Sequence, residues 1–183
     1  MKKFLPNLLI VCGAGRNTGK STLTKLLIHK YSALNEIAAC KITPHFHEQP
    51  ENKPLLWKTN DCKVYLENEI NHKDSSQFLQ AGANPVYYIE CKDYKIEEAF
   101  KALSEHLGES KLLICESGFL ANIYKPGILI FLETKNNTDL KADKLLLKEV
   151  ADIKVCSEQG KLDTELEKVL QKIEISNNKW IIV

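Results

Sequence analysis

The chain has no long run of apolar residues. In its 183 residues, no apolar stretch approaches the roughly 20 residues that a helix needs to cross a bilayer. The first run, at residues 8–12, is too short for the core of a signal peptide and leads straight into a glycine-containing loop. We therefore expect no membrane association and a cytoplasmic location.

A surplus of charge of either sign is also missing. Lysine and arginine together number 25 against 24 aspartate and glutamate residues, which gives a formal net charge of +1. A surface that binds nucleic acid usually carries a marked basic surplus. The composition therefore argues against a nucleic-acid partner.

Paired cysteine motifs are absent as well. None of the six cysteines forms a C-x-x-C pair, the spacing that is typical of zinc sites and redox pairs. Several cysteines stand at the ends of apolar runs, as Cys12 and Cys115 do. We expect buried thiols that act as small apolar side chains in a reducing compartment, with a zinc site as the alternative.

Short apolar runs alternate along the chain with segments of helical periodicity. Strands are predicted at residues 8–12, 36–42, 63–66, 86–91, 112–115, 128–132, 153–156 and 180–183, and helices at residues 23–34, 74–82, 96–107, 140–150 and 162–173. This alternation predicts one α/β domain over residues 1–183, with a mostly parallel sheet and helices on both faces. A polar stretch with three prolines interrupts the pattern, so we predict an irregular insertion at residues 43–71.

Residues 14–21, AGRNTGKS, fit the Walker A pattern G-x-x-x-x-G-K-[ST], with Ala14 in the first position. A loop of this length bends round an anion, and Gly15 and Gly19 allow the backbone angles that the bend requires. A strand candidate precedes the loop and a helical pattern follows it, so the positive end of the helix would also face the anion. This context predicts the three-layer sandwich of P-loop nucleoside triphosphatases and binding of GTP or ATP.

The side chains of the loop have predicted roles in triphosphate binding. Lys20 reaches the β- and γ-phosphates as a point charge, the Ser21 hydroxyl ligates Mg²⁺, and Thr22 lies near the α-phosphate. The predicted nucleotide-binding residues are Ala14, Gly15, Arg16, Asn17, Thr18, Gly19, Lys20, Ser21 and Thr22.

Two acidic residues are candidates for the magnesium site. Glu116 directly follows an apolar run, where a carboxylate at the tip of a parallel strand would hold Mg²⁺ directly or through water; its alternative role is to cap the next turn. Asp74 is either the N-cap of a helix or a second acidic group near the metal, and both roles are compatible. The predicted magnesium ligands are Ser21, Glu116 and Asp74, and the predicted catalytic residues are Lys20 and Glu116.

Three basic residues follow the second predicted strand or lie in it. Lys41 has apolar neighbours, where a lysine is costly unless it is paired. It would contact a phosphate or a substrate anion, or else reach solvent from the strand end. His45 and His47 are predicted to contact substrate or phosphate, because a His-x-His pair alone is weak evidence for a metal site.

Four stretches together resemble one family of P-loop proteins, the molybdopterin-guanine dinucleotide biosynthesis protein B family. They are VCGAGRNTGKSTL at residues 11–23, KITPHFH at 41–47, KDSS and QAGA within 73–83, and ICESGF at 114–119. The resemblance implies GTP binding, assistance in the guanylylation of molybdopterin, a homodimer and a partner enzyme of cofactor biosynthesis. It also implies that Lys20 and Ser21 bind phosphate and Mg²⁺, that Glu116 helps to hold Mg²⁺, and that Asp74 lies close by.

Three functions remain open from the sequence. The first is a Mg²⁺-dependent nucleotide-binding accessory protein of cofactor biosynthesis with slow hydrolysis of the triphosphate. The second is an ATP-dependent kinase or ligase for a small molecule, because dethiobiotin synthetase has a similar loop and a strand-end lysine. The third is a nucleotide-dependent switch that acts on a partner protein. All three place a triphosphate and Mg²⁺ in the same loop.

Overall fold

The computed structural model describes residues 2–15, 17–46, 53–70, 74–108, 111–135, 140–157 and 162–183, with the backbone alone for Asp74 and Ser157. The strands are β1 (Lys3–Gly13), β2 (Ile37–Thr43), β3 (Leu55–Thr59), β4 (Cys62–Leu66), β5 (Val86–Cys91), β6 (Leu112–Ser117), β7 (Tyr124–Thr134), β8 (Ile153–Ser157), β9 (Ile173–Ser176) and β10 (Lys179–Ile182). The helices are α1 (Lys20–Ser32), α2 (Asp74–Gln80), α3 (Ile96–Leu107), α4 (Ala142–Val150) and α5 (Leu162–Gln171). None of these helices is long and apolar enough to cross a membrane.

Eight strands form one sheet in the order β3-β4-β5-β2-β6-β1-β7-β8. The six strands from β5 to β8 in that order are parallel to their neighbours. Their carboxyl ends therefore meet at one edge of the sheet, where ligands bind in open α/β sheets. Only β4 and β3 run antiparallel, as an added hairpin beside β5. The predicted α/β architecture with a mostly parallel sheet is confirmed.

Helices cover both faces of this sheet. Along β1 the side chains of Leu8 and Ile10 enter the core beneath α3 and α4, whereas those of Leu9 and Val11 enter the core beneath α1, α2 and α5. Because both faces of β1 are buried, its apolar run is continuous rather than alternating with polar residues. The predicted placement of helices on both faces is therefore confirmed.

The chain adds a second, two-stranded sheet made of β9 and β10. Asn177 and Asn178 form the turn with φ of 48° and 57°, the left-handed pair that a tight two-residue hairpin requires. The indole nitrogen of Trp180 donates to the carbonyl oxygen of Asn7 at 2.9 Å, and its ring meets the Tyr31 ring edge-on at 5.2 Å between centroids. The predicted helix over residues 162–173 was two residues too long, because α5 ends at Gln171 and Ile173 is the first residue of β9.

Two other sequence predictions need correction. The segment predicted to be irregular contains β3, which pairs with β4 and extends the sheet. The cysteine prediction holds for five buried thiols but is wrong for Cys156, which is exposed on β8. Since β8 is the last strand of the sheet, one of its edges has no neighbouring strand to cover it.

Candidate functional site

The connection between β1 and α1 bends sharply at three positions. Gly15, Asn17 and Gly19 have φ of 78°, 58° and 88°, and asparagine is one of the few side-chain-bearing residues that adopts this left-handed region. Alternation of left- and right-handed residues builds concave backbone sites for anions. The first turn of α1 contains no acidic side chain and Gly19 supplies no side-chain cap, so the positive end of the helix is not neutralised from within.

Lys20 folds back over this connection. Its ammonium donates to the carbonyl oxygen of Gly15 at 2.6 Å and to the Thr18 hydroxyl at 3.0 Å. Burial lowers the pKa of Lys20, the negative charge of Glu116 partly offsets that effect, and the positive charge of Lys41 adds to it. The ammonium is thus held where its charge is poorly solvated, and a bound anion would relieve that cost.

Ser21, Glu116 and Lys41 converge beside the loop. The Ser21 hydroxyl donates to Oε2 of Glu116 at 2.7 Å. The Lys41 ammonium lies 3.2 Å from the other carboxylate oxygen of Glu116 and 3.4 Å from the Ser21 hydroxyl. A hydroxyl and a carboxylate this close are oxygen ligands of the kind that Mg²⁺ takes in nucleotide sites, so the residues present fit that ion.

The strand register explains why these residues meet. Lys41 of β2 lies directly opposite Glu116 of β6, and Val11 of β1 lies opposite Glu116 on the other side. Glu116 belongs to β6 itself, which continues to Ser117, whereas the sequence prediction placed it in the loop after the strand. The backbone of Glu116 is therefore held by the pairing of β6 with its neighbouring strands, which fixes where its carboxylate begins.

A cleft of about 1060 Å³ opens at this edge of the sheet. Of the predicted site residues, it is lined by Ala14, Gly15, Asn17, Thr18, Gly19, Lys20, Ser21, Thr22, Lys41, His45 and Glu116. Lining residues that the sequence analysis did not select include Asp93, Ile96, Ser117, Phe119 and Lys144. Ser117 and Phe119 belong to the motif at residues 114–119, but no local motif marks Asp93, Ile96 or Lys144, because only the fold brings these separate parts of the chain together.

Three predicted site residues are not placed by the structure. Arg16 and His47 lie outside the described residues. Asp74 begins α2, but its side chain is outside the described part of the chain, so both of its predicted roles stay predictions. Among the described residues, no group of three or more histidine, cysteine, aspartate or glutamate side chains is arranged to hold a metal ion.

Comparison of the chain with protein-family models, with curated proteins and with solved structures found no match. Any function assigned to the chain therefore has to come from the residues of this cleft and from the motifs of the sequence.

Proposed function

We propose that the chain binds a nucleoside triphosphate, GTP or ATP, together with Mg²⁺ in the cleft at the β1–α1 connection. The observation that carries the proposal is the 2.7 Å contact between the Ser21 hydroxyl and the Glu116 carboxylate. That pair lies beside a connection with three left-handed residues and a lysine that bonds to the same connection. This combination is what phosphate and Mg²⁺ binding require: donors for the phosphates and hard oxygen ligands for the metal.

Each residue has a defined part in this proposal. Lys20 leaves the Gly15 carbonyl oxygen and contacts the β- and γ-phosphates. Ser21 turns its hydroxyl oxygen toward Mg²⁺, and Glu116 holds the ion directly or through water. Bound Mg²⁺ would neutralise charge on the phosphates and orient the terminal phosphoryl group. Lys41, already paired with Glu116, keeps that carboxylate in place.

The biological role that we propose first is an accessory one in molybdopterin-guanine dinucleotide biosynthesis, with slow hydrolysis of the triphosphate. It rests on the combination of sequence motifs at residues 11–23, 41–47, 73–83 and 114–119. The same motifs support a homodimer and a partner enzyme of that pathway as proposals.

The binding proposal is tested by a thermal-shift panel of ATP, GTP, ADP and GDP, each with and without Mg²⁺. A triphosphate at about one hundred times its dissociation constant stabilises the folded state by about 2.7 kcal/mol. For a chain of this size that raises the melting temperature by about 5–11 °C. We expect one triphosphate to give this shift with Mg²⁺ and a smaller one without it. Unchanged melting in all eight conditions would contradict nucleotide binding.

Glu116→Gln tests the metal part of the proposal. The amide keeps the size of the side chain but removes the negative charge, so we expect the apparent affinity for Mg²⁺ in the presence of triphosphate to fall about 10- to 100-fold, the usual effect of losing a metal-site carboxylate. Titration of Mg²⁺ at constant nucleotide, followed by melting temperature, measures this. Glu133→Gln is the matched control, since Glu133 pairs with Lys148 at 2.7 Å. Equal Mg²⁺ titrations for both variants would remove Glu116 from the metal site.

A second candidate function is an ATP-dependent kinase or ligase acting on a small molecule. The observation that favours it is the extent of the cleft, whose volume lies at the upper end of the roughly 300–1,000 Å³ of small-molecule sites. The residues that line the cleft include His45, Asp93 and Phe119, which are far from the β1–α1 connection in the sequence. Release of ADP that requires an added acceptor, in a screen of hydroxyl, amine and carboxylate compounds, would support this function. A rate of ADP release that no acceptor changes would favour the accessory role.

A further inference from the structure

Lys144 reaches the cleft from the face of the sheet opposite to α1. Lys144 lies on α4, and Leu147 of that helix packs in the core on this face of the sheet. The Lys144 ammonium donates to the carbonyl oxygen of Gly118. The ammonium also lies 3.3 Å from the carboxylate of its neighbour Asp143. The side chain lines the same cleft as Lys20, so it approaches the β1–α1 connection from a second direction.

The charge of Lys144 acts on the groups at the end of β1. It contributes to the lowered pKa of Lys20. Burial raises the pKa of the Cys12 thiol to about 12, and among the nearby charges Lys144 opposes that rise most strongly. Interactions between charges fade beyond about 10 Å in salt solution. The Lys144 ammonium is therefore close enough to the Lys20 ammonium for the two charges to interact.

Gly118 directly follows β6 and lies two residues beyond Glu116, which places their Cα atoms about 7 Å apart. A side chain at position 118 would meet the Lys144 ammonium at 3.3 Å. Lysine carries its charge on a flexible stem with rotatable donors. Rotation about this stem would therefore change the acceptor that the ammonium meets.

The charges around the cleft favour such a movement. Glu116 carries one negative charge, and Lys41 and Lys144 supply the positive charges that act at the Lys20 ammonium. A triphosphate with Mg²⁺ carries about two negative charges, all on oxygens at the phosphate end. Lys20, Lys41 and Lys144 outweigh Glu116 by two positive charges, and the Asp143 carboxylate, 3.3 Å from the Lys144 ammonium, offsets one of them while that pair is formed.

We propose that Lys144 is the residue that distinguishes a triphosphate from a diphosphate in this cleft. In the free protein its ammonium is satisfied by the Gly118 carbonyl oxygen and Asp143. When a triphosphate binds, the ammonium exchanges those partners for an oxygen of the terminal phosphate, where charge also develops during phosphoryl transfer. This role deepens the proposed function and rests on it.

Isothermal titration of the full chain with the imido analogues of ATP and GTP, and with ADP and GDP, all with Mg²⁺, tests the role. Charge-assisted hydrogen bonds to phosphate predict that Lys144→Met weakens analogue binding about 10- to 100-fold and leaves diphosphate binding within about two-fold. Lys144→Arg should restore most of the preference for the triphosphate. Lys148→Met is the matched control, because it lies one turn further along α4 and pairs with Glu133 at 2.7 Å.

The possible outcomes separate this role from the proposed function. Selective loss of analogue binding in Lys144→Met, with rescue by arginine, supports the role. Equal weakening of analogue and diphosphate, or no weakening of either, shows that Lys144 only anchors α4 and overturns it. A wild-type protein that binds none of the four nucleotides overturns the proposed function and this role together.

Discussion

Replacing Lys20 with methionine is expected to weaken triphosphate binding by a factor of about 30 to several thousand, which corresponds to a loss of about 2–5 kcal/mol. Methionine has nearly the same length but no charge, so the phosphates would lose their most direct cation. Part of the loss is the cost of leaving the phosphates without that partner in a poorly solvated cleft. At about one hundred times the wild-type dissociation constant, the thermal shift seen with Mg²⁺ and triphosphate should fall to about a third of the wild-type value or less.

The same substitution should not destabilise the ligand-free protein. Because burial lowers the pKa of Lys20, protonation of this residue is less favourable in the folded than in the unfolded chain. The protonated lysine therefore costs stability below its folded pKa. That cost fades as the pH rises through the folded pKa toward about 10.4, the unfolded value. We expect Lys20→Met to melt above the wild type at pH 7, and the difference to shrink near pH 10.

Melting curves at pH 7 and pH 10, with and without nucleotide, measure both effects of Lys20→Met. Lys25→Met is the matched control: Lys25 also lies on α1, but its ammonium donates to the Gln77 side-chain oxygen at 2.6 Å. That variant should keep the nucleotide shift. A Lys20→Met protein that binds triphosphate as tightly as the wild type would contradict the assigned role, whereas one that melts far below it would show that Lys20 is needed for folding.

The central part of the fold and of the site was predictable because it depends on local sequence. Residues 86–91 and 96–107 form a strand and a helix with the predicted bounds, since β-branched and aromatic runs and a clear helical period coincide with the final packing. Gly15 and Gly19 are left-handed as expected. Lys41 was selected for its apolar neighbours and Glu116 for its position directly after an apolar run, and the parallel register of β2 and β6 brings the two together.

Other features were not predictable because they depend on long-range contacts. The strand β3 follows a proline-rich stretch and exists through pairing with β4, so its own pattern gives little signal. Ile173 continues the helical spacing of α5, yet it belongs to a hairpin whose Trp180 packs against Tyr31. Lys144 has the pattern of an ordinary helix lysine, and only the fold brings it to the cleft.

Gly13 is another position that the sequence pattern does not identify, and Gly13→Ala is expected to destabilise the fold strongly. Gly13 is the last residue of β1, where it lies opposite Leu132 of β7. A methyl group there would overlap the carbonyl oxygen of Leu132 and lie 3.0 Å from its carbonyl carbon. Backbone cannot move aside as a flexible side chain can, so the two strands would have to separate at this point.

The separation would also break a hydrogen bond that positions the β1–α1 connection. The amide of Ala14 donates to the same Leu132 carbonyl oxygen at 2.9 Å. Overpacking in a well-packed interior costs about 1–3 kcal/mol, and loss of a buried hydrogen bond adds about 1 kcal/mol or more. We expect a total of about 3 kcal/mol, which lowers the melting temperature by about 6–12 °C in a chain of this size.

The melting temperatures of Gly13→Ala and Gly118→Ala, each compared with that of the wild type, test this prediction. Gly118 is the matched control because it also follows a central strand, and an added methyl group would meet only the flexible ammonium of Lys144, at 3.3 Å. Its melting temperature should stay within about 2 °C of the wild type, the range of surface substitutions. If both variants melt alike, the close approach of β1 and β7 does not fix the loop. If only the melting temperature of Gly13→Ala falls, and its nucleotide shift falls with it, the start of the β1–α1 connection is held by backbone packing against β7 as well as by its own turns.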